Sequence, residues 1–273
     1  MHDAPLSLLQ AAVLALVQGL TEFLPVSSSA HLILVPWALG WPDQGLTFDV
    51  VVHLGTLTAV CLYFRSDLAA ILRGWLGSLP GGSGDDPQAA RLGWFVVGAT
   101  VPAVLAGLAF GGLIETIARD PRVIAATTIG FGLVLWAADR MGTHRRETGS
   151  LSWRDALLVG VSQALALVPG VSRSGITMTA GLALGLTREA AARFSFLLSI
   201  PVIAASSVLK LAEWATSGNG GENLLPMAAG FALSALFAYL CIRYFLRFIQ
   251  RHSMGVFVGY RMALGGVILF ALS

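Results

Sequence analysis

Two breaks interrupt the apolar stretches of this chain where a membrane-embedded protein should be least polar. They read Pro25-Val26-Ser27-Ser28-Ser29-Ala30-His31 and Pro169-Gly170-Val171-Ser172-Arg173-Ser174-Gly175-Ile176-Thr177. Each follows a hydrophobic helical stretch, precedes a short one, and brings Glu22, His31 or Arg173 with it. In hydrocarbon, backbone that leaves a helix is tolerated only where protein or a water-filled cavity satisfies it. Ionisable groups in such places are functional by default. The breaks therefore dictate where a site belongs.

Around them the chain is 56% hydrophobic and 12% charged, with mean hydropathy +0.76. That implies an all-α polytopic membrane protein, read as one domain over 1–273 with no soluble domain attached. A net charge of +2 names no partner, and nothing in the pattern points to nucleic acid. Cys61 and Cys241 fall in expected spans, where they read as small apolar packers. The first thirty or so residues loosely resemble a signal peptide, but Asp3 sits in the n-region and Glu22 and Pro25 directly follow the apolar run, so no cleavage is expected.

Six segments read as transmembrane helices: 46–64, 92–112, 122–140, 188–213, 224–248 and 254–272. Regions 6–40 and 154–186 each read as helix, break and second helix. Their returning limbs of about eleven residues reach roughly 16 Å, half a membrane, so they fit re-entrant helical hairpins. Arginines at 65, 73 and 91, at 140, 145, 146 and 154, and at 243, 247 and 251 fall on one face only if 154–186 re-enters. The positive-inside rule places that face in the cytoplasm and both termini outside. The halves, about 6–140 and 154–272, resemble each other, and three spans follow each hairpin. An odd number inverts the second copy, giving an inverted-topology repeat whose hairpins meet near the midplane.

At that meeting point, serines start two helices whose N-termini offer unpaired N–H groups and a positive dipole end. With the Arg173 guanidinium between them they make an anion pocket suited to phosphate. Ser27, Ser28, Ser29, Ser172, Ser174 and Thr177 supply hydroxyls, and Gly170 and Gly175 permit close backbone approach. Gln18 and Glu22 share a helical face. A carboxylate beside an anion pocket either binds a divalent cation or handles protons. His31 could activate a hydroxyl or protonate a leaving group. Together these make up the parts for phosphoryl transfer. Arg173 could instead be a structural ion-pair partner of Glu22. His53 and Asp49 are weaker candidates, and Arg261 reads as a snorkelling residue near a span end.

At these residues the chain resembles the bacterial undecaprenyl-diphosphate phosphatase family of the bacitracin-resistance type. The motifs are Gln18-Gly19-Leu20-Thr21-Glu22-Phe23-Leu24-Pro25-Val26-Ser27-Ser28-Ser29-Ala30-His31 and Pro169 through Thr177, joined by Phe194-Ser195-Phe196-Leu197-Leu198-Ser199-Ile200-Pro201 and Tyr260-Arg261. The resemblance implies an inner-membrane enzyme, commonly a homodimer, whose site opens to the outer face. It also implies removal of the terminal phosphate from undecaprenyl diphosphate and a requirement for Mg2+ or Ca2+. Family roles map onto Glu22, Ser28, His31 and Arg173 as catalytic residues, with Glu22 as metal ligand. Ser27, Ser172, Ser174 and Thr177 are the expected phosphate-pocket residues. The first motif position is Gln18 where the family has Glu or Gln, so a two-carboxylate metal site is not available from this helix. The expected reaction is attack by Ser28 assisted by His31, with direct attack by water as its variant. The rival reading is a lipid flippase or anion transporter using the same midplane site.

Overall fold

The structure, a computed structural model, describes residues 6–82, 86–117, 120–216 and 224–272, with side chains throughout except at 113–117 and 213–216. The expected outer placement of the termini falls on residues 1–5 and 273, outside the described residues. Among the described residues the regular elements are helices: α1 (Leu8–Thr21), α2 (Ser28–Leu39), α3 (Leu46–Tyr63), α4 (Arg65–Gly77), α5 (Pro87–Ile117), α6 (Pro121–Met141), α7 (Trp153–Ala164), α8 (Arg173–Ala183), α9 (Arg188–Thr216), α10 (Leu224–Ile249) and α11 (Gly255–Ala271).

Five of these (α3, α5, α6, α9 and α10) are long and apolar enough to cross a membrane. The sixth expected span is α11, whose 17 residues rise only about 25 Å, slightly less than a typical hydrocarbon core. Helix α4 was not anticipated: its 13 residues read as a connection between Arg65 and Arg91. The outward faces are apolar yet uncovered, with Leu105 60%, Val267 65% and Phe270 82% exposed. So much apolar surface is stable in lipid and not in water.

The two helix-break-helix units share their punctuation at one offset. Ser7 and Ser152 each close a capping box at the start of α1 and α7. Ser27 and Ser172 precede α2 and α8 with φ of 74° and 73°. Gly40 and Gly185 follow those helices with φ of 65° and 84°. Each pair is separated by 145 positions. Two serines in the left-handed region are uncommon, and such strain persists only where surrounding structure imposes it.

Packing follows the same exchange. α10 lies along α1 and α3, and α5 lies along α7 and α9. Both approaches are close. A Cβ on Gly19 would meet Ser234 O of α10 at 2.8 Å, and one on Gly160 would meet Ala99 Cα of α5 at 2.7 Å. α8 is gripped by α6, α7 and α9, whereas α2 lies along α1 and packs its side chains against α3, α6 and α11.

A polar latch at the rim fixes the second unit. Arg146 Nη2 donates to Asp155 Oδ2 at 2.7 Å and its Nη1 to Leu184 O at 2.9 Å. Thr187 N also donates to Arg146 O at 2.8 Å, tying the end of α8 to the start of α7. The hydrogen bond from Arg146 is the main cause that holds the Asp155 carboxyl down at about 2. A depressed folded-state value adds stability above the ordinary carboxylate range and loses it as pH falls toward 2. Asp155→Asn should therefore cost on the order of 1–2 kcal/mol at pH 7, allowing for screening at the part-exposed Arg146. Thermal unfolding of both proteins should show that gap closing as pH drops from about 4 to 2.

Candidate active site

The first break brings Ser28 back onto the end of α1, and the second break starts α8 at the same point. Glu22 is where they meet. Its Oε2 accepts from Ser28 Oγ at 2.6 Å and from Gln18 Nε2 at 3.0 Å. Its Oε1 accepts from Arg173 Nη2 at 2.9 Å, and His53 Nε2 lies 3.7 Å from Oε2. Arg173 Nη1 donates to Ser195 O at 3.1 Å. Those two bonds leave most of the guanidinium's five N–H groups for another acceptor.

The breaks are also bonded directly to each other. Gly170 N donates to Ser27 Oγ at 3.2 Å, and Ser174 Oγ donates to Leu24 O at 2.7 Å. Gly170 needs its hydrogen: it has φ of 89°, and a Cβ there would meet Ile124 O at 2.7 Å. Arg261 closes the assembly. Its Nη1 donates to Pro25 O and Val171 O at 3.1 Å each, its Nη2 to Gly170 O at 2.8 Å, and its Nε to Thr128 O at 2.9 Å. The expectation that Arg261 snorkels is overturned: it is 0% exposed. One guanidinium satisfies carbonyls that both breaks leave without helical partners, as apolar surroundings require.

A cavity of about 760 Å³ opens from this point, lined by Glu22, Ser28, His53 and Arg173 at its polar end. Its far wall is apolar, built from Ala103, Gly107 and Leu108 of α5 and Val202, Val208 and Ala212 of α9. Pro102 and Pro201 sit just ahead of those wall segments. Each removes one helical hydrogen bond there.

Of the expected residues, Ser27, Ser29 and Ser172 also line the cavity, whereas Gln18, His31, Gly170, Ser174 and Thr177 are not among its lining residues. Thr177 Oγ1 is engaged with Arg173 O at 2.8 Å and Ser195 Oγ at 2.7 Å. His31 does not reach Ser28 in this geometry. Its Nδ1 meets Ser27 O at 2.7 Å and its Nε2 meets Tyr260 OH at 2.6 Å, with the two rings stacked. His53 is more central than its sequence context suggested, and its signal was an ionisable residue inside an apolar span. Ser195, Tyr260 and Arg261 come from distant helices, and nothing in their spacing ties them to the breaks.

Among the described residues no three His, Cys, Asp or Glu cluster to hold a metal ion. The donors present are nonetheless of the kind Mg2+ and Ca2+ take: the Glu22 carboxylate, the Ser28 hydroxyl and the buried, unpartnered Oε1 of Gln18.

A chain whose described residues are helical, with five helices long and apolar enough to cross a membrane around a buried carboxylate–serine–arginine centre, falls in the class of multi-pass membrane proteins. Comparison with known proteins is more specific. Residues 11–267 match the family described as bacitracin resistance protein BacA, and the chain belongs to that family. It is 52% identical over 267 residues to an undecaprenyl-diphosphatase of Teredinibacter turnerae, covering 98% of this chain and 100% of that one. It is 54% identical over 273 residues to undecaprenyl-diphosphatase 2 of Stutzerimonas stutzeri, covering 98% and 99%. A Geobacter sulfurreducens undecaprenyl-diphosphatase is 50% identical over 265 residues, covering 97% and 98%.

Proposed function

We propose that this chain hydrolyses undecaprenyl diphosphate to undecaprenyl phosphate and inorganic phosphate in the bacterial inner membrane. The observation that carries the reading is that Ser28 and Arg173, from opposite breaks, both bond the Glu22 carboxylate at the mouth of an apolar cavity. The names of the relatives supply the substrate. The cavity supplies a polar end for a diphosphate and apolar walls for a prenyl chain, which prefers them to water.

In this reading Arg173 binds the terminal phosphate and Ser28 Oγ attacks its phosphorus. The hydroxyl proton passes to Glu22, which is nearer to it than His31. The bond to the bridging oxygen breaks, and undecaprenyl phosphate leaves with the electron pair. Water then attacks the phosphoserine. Glu22 returns its proton to Ser28 Oγ, and phosphate departs with both protons of the water. His31, held by Ser27 O and Tyr260 OH, positions the loop that presents Ser28. Glu22 and the Gln18 carbonyl oxygen would hold a Mg2+ or Ca2+ ion, which would neutralise charge on the phosphoryl oxygens.

We further read the two hairpins as re-entrant and the halves as an inverted repeat. The shared offset, the paired positive-φ serines and the exchanged packing support this. The limbs α2 and α8, with 12 and 11 residues, reach about half a hydrocarbon core. The resemblance to the family, and not the repeat, is what supports a site open to the outer face.

The test is phosphate release from undecaprenyl diphosphate by the purified protein in detergent. A chelator should abolish it and added Mg2+ or Ca2+ restore it. Ser28→Ala should lower turnover about a hundredfold. Wild-type rates in Ser28→Ala, or no release by the wild type with metal present, would remove this reading.

A further inference from the structure

Gln163 occupies the place in α7 that Gln18 occupies in α1, at the same offset of 145 positions. In the first unit the Gln18 amide reaches Glu22, one turn ahead, at 3.0 Å. The position one turn ahead of Gln163 is Leu167, which has no polar group to offer. The consequence is visible: Gln163 is 2% exposed, and neither its Nε2 nor its Oε1 has a hydrogen-bond partner among the described residues. Both Gln163 and Leu167 line the cavity that holds Ser28 and Arg173.

A buried amide with both ends unpaired is costly, and a protein retains one where a ligand supplies the partner. Elimination among the lining residues assigns which part of the ligand that is. The terminal phosphate belongs at Arg173 and Ser28, and the prenyl chain belongs against α5 and α9. Between them lies the second phosphate, a group that accepts from Nε2 and, through its hydration or a shared proton, engages Oε1. We infer that Gln163 is a substrate-binding residue that hydrogen-bonds the phosphate retained on the prenyl chain. This rests on the phosphatase reading of the same cavity and adds to it a residue that distinguishes a diphosphate from a lone phosphate.

Gln163→Leu, close in volume and without polar atoms, tests it in the full-length protein in detergent. KM for undecaprenyl diphosphate should rise roughly tenfold, the scale of one hydrogen bond to a charged group, with kcat within about threefold. Competitive inhibition by undecaprenyl phosphate should weaken by a similar factor, whereas inhibition by inorganic phosphate should stay as in the wild type. The thermal midpoint should rise, because an unsatisfied amide has been removed. Unchanged KM and unchanged inhibition by undecaprenyl phosphate would overturn the inference. So would equal weakening by inorganic phosphate, which would put Gln163 at the terminal phosphate. A lowered midpoint would show that the amide serves the fold instead. Arg173→Ala separates the two levels of argument: if it too has normal turnover, the phosphatase reading of the cavity has failed, and not the placement of Gln163 alone.

Discussion

Replacing Arg173 with alanine is expected to slow phosphate release from undecaprenyl diphosphate by about a hundredfold to a thousandfold, the cost of losing one pre-placed charge-stabilising donor. Two effects add. The guanidinium that would bind the terminal phosphate is gone, and the 7%-exposed Glu22 loses its cationic partner at 2.9 Å. An uncompensated carboxylate at the mouth of the cavity repels the anionic substrate and competes for protons. Arg173→Lys should recover only part of the rate, because an ammonium cannot bond Glu22, Ser195 O and a phosphate in one planar fork. The protein should still elute as a folded species, since Gly170 N to Ser27 Oγ, Ser174 Oγ to Leu24 O and the Arg261 bonds to Pro25 O and Gly170 O still join the breaks. Turnover near wild type in Arg173→Ala would exclude it from the chemistry.

Arg261→Met is the substitution expected to damage the fold most. Its guanidinium donates to Thr128 O, Pro25 O, Val171 O and Gly170 O, with Thr127 O at 3.4 Å. Methionine fills much of the volume but donates nothing, so carbonyls of both breaks are stranded in apolar surroundings. Removing a buried charge gives back some desolvation energy, yet stranded acceptors cost about 1–3 kcal/mol each, and that loss dominates. A net destabilisation of about 3 kcal/mol or more follows, read as a fall in thermal midpoint and in folded yield. Arg261→Lys should rescue little, because a point charge with three donors does not span both breaks. A midpoint within a degree or two of the wild type would show that the breaks hold themselves.

These two arginines also show how far the sequence could be read. The breaks themselves were legible because Pro25, Pro169, Gly170 and the serines are residues that helices expel, set inside stretches too apolar to lie in water. Arg173 stood out for the same reason. Arg261 did not, because its position near a span end fits snorkelling equally well, and only the fold brings α11 against Pro25 and Gly170. The approach of Tyr260 to His31 is equally invisible, being a contact between residues 229 positions apart. Helix α4 was missed because a short amphipathic helix between arginines has the composition of a connection. Gln163 was missed for a subtler reason: a glutamine in a polar-tolerant helix is unremarked until its neighbours prove unable to bond it.

Phosphoryl transfer here requires the two breaks to make one site, and a double-mutant cycle on Ser28→Ala and Arg173→Ala tests that most directly. With kcat/KM for undecaprenyl diphosphate measured for the wild type, both single variants and the double variant, residues that act together on one phosphorus should give strongly non-additive losses. The double variant should then be no more than about tenfold slower than the slower single variant. Losses that multiply in full, to about ten-thousandfold or beyond, would mean that the serine and the arginine work independently, and the single shared site would be contradicted.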